Sequence, residues 1–423
     1  MKKSTKDVII IGFALFAMFF GAGNLIFPPF LGRMIGDQYI LGIIGFVCTG
    51  VGLPLLAIIA ATKGDGTFET MASKIGPKFS IIFATILFIT IGPMLAIPRT
   101  AATTYELTIS PLVPNLSPLI SMIIYFAVNL LFVIKRSSII DTIGKYLTPM
   151  LIVILTLIII KGIVSPIGHV TSTGVTSVLP SSFIEGYQTM DALAGLLFAT
   201  VITTTLREKK YSDKELLPMT LKASGVAVIG LAFIYGGLMF LGAQTSGFEI
   251  ADLSKTSLLL LISNNILGNI GTTIIGIAIG LACLTTSIGL LTAGSSFFEK
   301  VSNGKLPYKI NAIVISLISI FIGSLGVDKI VKISGPILSI LYPVTITLIV
   351  TTLVNRILTN RKAVRIGVYT SLIFGIFEIL PFIDLSFIPL AKSGFAWLIP
   401  TIISILIGYI IFPMSKQKVT NLC

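Results

Sequence analysis

Apolar runs of about 20 residues recur along the whole 423-residue chain. A run of that length crosses the ~30 Å hydrocarbon core of a bilayer as one α-helix. Charged residues make up only 11% of the chain, and the mean hydropathy of +1.02 lies far outside the soluble globular range. The expectation is an all-α polytopic membrane protein with about twelve transmembrane helices, near residues 8–32, 38–61, 79–98, 117–134, 143–164, 187–206, 217–243, 269–298, 309–326, 333–355, 364–381 and 394–413. The run Leu258–Leu267 reads as a short helix on the outer face.

The charges test this layout. With the N-terminus placed in the cytoplasm, 23 of the 30 Lys and Arg residues fall in inner segments and 7 in outer ones. That asymmetry obeys the positive-inside rule and places both termini inside, in the cell membrane. The net charge of +13 is therefore topology, not a nucleic-acid footprint. The basic start leads into an apolar run too long for a cleaved leader. Cys48, Cys283 and Cys423 form no disulfide or metal-binding pattern. The stretch Gly64–Pro77 suggests a short amphipathic helix on the inner surface. Val164–Glu185 reads as a long polar outer loop carrying the one histidine, His169, in solvent.

Inside the first span lies Phe19-Phe20-Gly21-Ala22-Gly23-Asn24-Leu25-Ile26-Phe27-Pro28-Pro29. Each glycine weakens a helix by about 1 kcal/mol relative to Ala. Broken backbone at that depth is tolerated where it is buried in protein or lines a cavity. Its freed N–H groups suit an anion and its freed carbonyls a cation. The bland alternative is a close helix contact through small residues.

Segment six opens Glu185-Gly186-Tyr187-Gln188-Thr189-Met190-Asp191-Ala192-Leu193-Ala194-Gly195. Asp191 is costly in a membrane, so it either has a role or caps a first turn near the outer interface. Segments one and six would open two five-helix halves of opposite orientation, 8–164 and 187–355, with 364–413 as two accessory helices of a single transport domain. Interrupted segments at matching positions of two halves point to a transporter site. Segment eight carries Thr285-Thr286-Ser287. Its hydroxyls either bond back to the preceding turn or face a hard cation. Arg99 either snorkels or pairs with Glu106, Asp191 or Asp384. Glu378 reads as scaffold.

Other classes fail on chemistry. The chain has no Gly-x-x-x-x-Gly-Lys-Ser/Thr loop for ATP, no His-Glu-x-x-His and no Gly-x-Ser-x-Gly. An enzyme is not expected, and no cofactor is called for. Polar residues concentrate in two interrupted helices instead of lining one pore, which disfavours a channel.

The block Gly12–Pro29, with Gly92-Pro93…Pro98-Arg99-Thr100 and Thr189-Met190-Asp191-Ala192-Leu193, resembles the bacterial branched-chain amino acid:cation symporters over essentially the whole chain. The resemblance implies uptake of leucine, isoleucine and valine driven by sodium or protons. More remotely, Gly21-x-Gly23-Asn24 and Ala282-x-Leu284-Thr285-Thr286 are similar to the sodium symporters of the five-plus-five inverted-repeat fold, with broken helices 1 and 6. That likeness implies a substrate carboxylate on the amides of Ala22 and Gly23. It also implies a sodium ion held by the carbonyls of Ala17, Phe20 and Ala282 and the hydroxyls of Thr285 and Thr286. A second sodium would use Asn24, but the asparagine that would join it is absent between Leu217 and Ala243.

Position alone nominates Ile97, Ala101 and Leu193 as walls of an apolar side-chain pocket, beside Gly21, Asn24 and Asp191. Sodium is favoured because segment eight has no acidic or basic side chain before Glu299. Proton coupling through Asp191, or exchange, is the rival. The oligomeric state is left open.

Overall fold

The computed structural model describes residues 3–63, 67–134, 148–250 and 253–412. Every regular element among them is helical. In chain order they are α1 (Lys3–Phe19), α2 (Ala22–Ile35), α3 (Tyr39–Val47), α4 (Leu53–Thr62), α5 (Phe68–Ser73), α6 (Pro77–Ile89) and α7 (Ala96–Thr104). There follow α8 (Pro118–Ile134), α9 (Thr148–Val164), α10 (Val178–Tyr187), α11 (Asp191–Glu208), α12 (Asp213–Ala243), α13 (Lys255–Val301), α14 (Tyr308–Gly323), α15 (Val327–Leu353), α16 (Arg361–Ile379) and α17 (Leu398–Ile411). Five helical stretches among the described residues are long and apolar enough to cross a bilayer. The bent pair α10–α11 makes a sixth. The protein is therefore a multi-pass membrane protein. Large apolar side chains such as Ile229, Ile270, Phe321 and Ile410 are exposed, as lipid-facing residues are.

Local chemistry starts and stops the helices. Ser212 and Glu215 form a capping box at the start of α12, where the Ser212 N–H donates to Glu215 Oε2 at 2.9 Å. Those bonds hold the exposed Glu215 carboxyl below the usual range. Asn360 Oδ1 caps α16 by accepting from the N–H groups of Lys362 and Ala363. Gly268, at φ 66°, divides α13 and leaves 255–267 as the short helix expected there. The residues Gly64–Gly66 lie outside the described part, and of the rest of the expected stretch α5 makes Phe68–Ser73 helical.

Close glycine contacts set the position of the broken first segment. A Cβ on Gly32 of α2 would lie 2.0 Å from the Met239 carbonyl oxygen of α12. A Cβ on Gly242 would lie 2.0 Å from that of Pro29. These two hydrogens let the helix backbones touch, as small residues do in membranes. Segment three is also irregular. A π-helical turn at Thr90–Met94, with Gly92 at ψ −110°, swings α7 inward from α6.

Candidate functional site

The chain breaks where glycine predicted a break, at Phe20–Gly21, between α1 and α2. Gly21 is extended (φ −109°, ψ −160°), and α2 restarts at Ala22. The first N–H groups of α2 lack intrahelical acceptors. Asn24 Oδ1 takes one nearby donor, the Gly21 N–H, at 3.2 Å. Gly21 must also be small for its neighbour, since a Cβ there would sit 3.0 Å from Thr286 Oγ1 on α13.

The second break lies at Gln188–Met190, between α10 and α11, which meet at 41°. Met190 takes the left-handed conformation (φ 64°), an uncommon state for a residue with a side chain. Thr189 Oγ1 donates to the Gly186 carbonyl at 2.8 Å and accepts from the Asp191 N–H at 3.3 Å. The last third of the expected outer loop Val164–Glu185 is thus helix, because α10 begins at Val178. Its Ser, Pro and Glu content reads as loop, yet Pro180 falls in the first turn, where a helix tolerates it. His169 is solvent-exposed as expected.

One amide joins the two breaks. Asn24 Nδ2 donates to Asp191 Oδ2 and to the Tyr235 hydroxyl of α12, and Tyr235 Oη lies 3.4 Å from the same carboxylate oxygen. Asn24, Asp191 and Tyr235 are each at most 4% exposed. The alternative of Asp191 as a cap at the outer interface is therefore set aside. It begins α11, but deep in the protein and bonded to the other broken segment.

Arg99 neither snorkels nor pairs with Glu106 or Asp384. It is 2% exposed. Its Nη1 donates to the Gln188 carbonyl at 2.6 Å and its Nη2 to the Thr189 carbonyl at 3.1 Å, at the end of α10. The guanidinium also stacks 5.4 Å from the Phe27 ring centre. Glu106 instead accepts the Val327 N–H, and Asp384 the Ser386 N–H.

The hydroxyl trio of α13 divides. Thr285 Oγ1 donates to the carbonyl oxygens of Ala282 at 2.9 Å and Ala17 at 3.3 Å, and Thr286 Oγ1 to Ala17 at 3.2 Å. Back-bonding and contact with the broken helix thus occur together. Four of the five nominated cation ligands converge at the end of α1, and Phe20 adjoins them at the break. Ser287 Oγ is buried without a partner.

Between the breaks is a cavity of about 20 Å³, room for about one water. Gly21, Ala22, Asn24, Arg99, Asp191 and Thr286, with Thr100 and Thr189, supply its polar wall. Met18, Phe19, Ile91, Ala96, Ala194 and Leu290 supply most of its apolar wall. Thr286 therefore belongs both to this cavity and to the oxygen cluster.

A family model described as "Branched-chain amino acid transport protein" matches residues 4–415. The chain belongs to the branched-chain amino acid transport protein family. It is 39% identical over 429 residues to the branched-chain amino acid permease BraB of Bacillus subtilis, covering 96% of this chain and 95% of that one. Its fold is similar to that of Mhp1, a nucleobase-cation-symport-1 family transporter (TM-score 0.65, 13% identity, 97% and 94% coverage). It is also similar to MhsT, solved with L-phenylalanine (TM-score 0.57, 16% identity, 95% and 98% coverage). The family's named relatives are permeases and carriers, so this member is a transporter and not an enzyme.

Within this family member, three nominated wall residues are displaced. Ile97, Ala101 and Leu193 are buried but do not line the cavity. Their chain neighbours Ala96, Thr100 and Ala194 do. One residue is about 100° around a helix, so a slip of one turns a side chain away. Gly23 also lies off the cavity, against Arg99: a Cβ there would be 2.7 Å from Arg99 Nη2. Sequence reasoning missed Tyr235, which shares a long apolar helix with Phe233 and Phe240. It named Arg99 without placing it. The signal for Arg99 was a charge within an apolar span, next to two prolines and a glycine.

Proposed function

We propose that this transporter imports leucine, isoleucine and valine together with one sodium ion by alternating access, as a twelve-span protein built on a five-plus-five inverted repeat with both termini cytoplasmic. The observation that carries the reading is the Asn24–Asp191 bond, which ties two broken segments, 167 residues apart in sequence, around one polar cavity. A zwitterion fits that wall. Its carboxylate would dock on the free N–H groups at the start of α2, where the helix dipole favours negative charge. Its ammonium would face Asp191, and its branched side chain would press on Ile91, Ala96, Ala194 and Leu290.

The cation would enter beside it. The carbonyls of Ala17, Phe20 and Ala282 and the hydroxyls of Thr285 and Thr286 are neutral oxygens, which suit a weakly held monovalent ion. Each hydroxyl can rotate its proton away and offer a lone pair. Because Thr286 borders both sites, filling one changes the wall of the other. The relatives, named as branched-chain amino acid permeases, support the substrate class, and the fold shared with a cation symporter supports coupling.

The 20 Å³ cavity is too small for leucine, so this conformation is closed. Two ion pairs outside the cavity are proposed as its gates. On the proposed outer side, Lys255 Nζ lies 3.5 Å from Glu185 and 3.4 Å from the Phe30 ring centre. On the proposed inner side, Asp7 meets Lys209 at 3.3 Å and the Tyr211 hydroxyl at 2.9 Å. Alternating access would release one and then the other.

The test is leucine uptake by purified protein in proteoliposomes under an imposed sodium gradient, with counterflow of labelled leucine. Sodium-stimulated uptake is expected. Uptake that ignores sodium and follows only the pH gradient would transfer coupling to Asp191, which among the described residues is the carboxylate on the cavity wall and is bonded to Asn24 and Tyr235.

A further inference from the structure

We propose that Arg99 is a substrate-binding group: its guanidinium holds the substrate carboxylate jointly with the α2 amides, and so makes the transporter selective for compounds that carry a free carboxylate. The inference rests on the amino-acid reading above and names a residue that reading leaves without a role.

Burial is the first ground. A charge inside a membrane protein is costly, and it is kept where it is paired or where it works. At 2% exposure Arg99 is as buried as the core, yet among the described residues no carboxylate forms an ion pair with it. Two of its five N–H donors are spent on neutral carbonyls, those of Gln188 and Thr189. Its Nε is buried with no partner. A guanidinium is a fork that can keep those two bonds and still offer donors elsewhere, which a lysine ammonium on the same stem cannot match.

Position is the second ground. Arg99 lines the cavity together with Gly21, Ala22 and Asn24, and its Nη2 presses on Gly23. The free amides of α2 and the guanidinium therefore share one corner. Asp191 is also on the wall. One positive and one negative side chain in a closed chamber match the two charges of an amino acid. They also repel a substrate that carries an extra charge, because that charge would have no partner.

The competing account is purely mechanical: Arg99 only staples the end of α10 to α7. The two accounts differ in what happens to selectivity. Binding of labelled leucine to purified protein is competed with unlabelled leucine and with leucinamide, which keeps the ammonium and side chain but has no carboxylate. In the wild type, leucinamide is expected to compete at least about a hundredfold more weakly, the usual loss when one partner of a buried charge pair is removed. Arg99→Gln should weaken leucine strongly and leucinamide little, shrinking the ratio to about tenfold or less. Arg99→Lys should keep an intermediate ratio.

A stapling role alone would weaken both ligands in parallel and leave the ratio where it was, which overturns the proposal. If Arg99→Gln cannot be purified folded, the wild-type ratio decides: below about tenfold, the carboxylate has no buried cationic partner and the inference is wrong. A wild type that binds no branched-chain amino acid at all would sink the transport reading instead. A leucine-binding wild type whose preference survives Arg99→Gln sinks this inference alone.

Discussion

Replacing Thr285 and Thr286 together by alanine tests the cation site. In a continuous helix the Ala17 carbonyl would accept from the N–H of residue 21. The break diverts the Gly21 N–H to the Phe19 carbonyl at 2.8 Å and to Asn24 Oδ1 at 3.2 Å. Ala17 therefore relies on the two threonine hydroxyls, at 3.3 and 3.2 Å. Thr285→Ala with Thr286→Ala removes both and leaves a buried carbonyl unsatisfied, at about 1–3 kcal/mol. The Ala282 carbonyl keeps its helical partner and loses only the 2.9 Å bond from Thr285.

The double variant should thus be destabilised by about 2–4 kcal/mol, close to the sum of that orphan and one ordinary hydrogen bond. In the wild type, sodium at a hundred times its Kd should add about 2.7 kcal/mol to stability. The variant should lose that increment. The assay is thermal unfolding of purified protein in sodium chloride against choline chloride, alongside leucine uptake under the same two salts. A double variant that keeps both its sodium-dependent stabilisation and its sodium-stimulated uptake refutes the site.

Three further outcomes follow from the geometry. Gly23→Leu should abolish leucine binding while the protein still inserts and purifies, because any Cβ there drives Arg99 Nη2 and the Phe27 ring off their positions; wild-type affinity in that variant, measured by equilibrium binding, would count against the α2 amide site. Gly242→Ala should cost about 3 kcal/mol or more, since its Cβ meets the Pro29 carbonyl at 2.0 Å and neither backbone can yield alone; a melting temperature equal to wild type would contradict the contact. An apolar wall distinguishes one methylene by only about 1–3 kcal/mol, so leucine, isoleucine and valine should compete within about two orders of magnitude in uptake, with aspartate and lysine excluded. Strong uptake of either charged amino acid would refute the proposed wall.

How much was legible follows from what each signal depends on. The break at Gly21 was visible because glycine disfavours helix wherever it sits, and no tertiary contact is needed to say so. Asp191 stood out for a similar reason, as a lone carboxylate beside an apolar run. The start of α10 was hidden. Its Ser-Ser-Phe-Ile-Glu segment has loop-like composition, and it is helical because it packs on α3 and on the π-helical turn Cys48–Gly52 that follows α3. Ile97 and Ala101 were missed by one position each because a helical phase cannot be read through the irregular turn at Thr90–Met94, and Leu193 because its helix restarts at the break before Asp191.

The sequence by itself determined the class of protein, the helical content, the two interruptions and the residue types able to hold a zwitterion and a small cation. Those properties are local or additive: apolar length, glycine's backbone freedom and the cost of a charge in lipid act on each segment separately. Tertiary structure alone decided which groups meet. Asn24 reaches Asp191 and Tyr235, Arg99 reaches the end of α10, and Thr286 faces Gly21, because Gly32 and Gly242 let two helix backbones close to contact and the kink at Gly92 turns α7 inward. Those meetings join residues as far apart in sequence as Gly21 and Thr286, and no periodicity along a single chain encodes a distance between two helices.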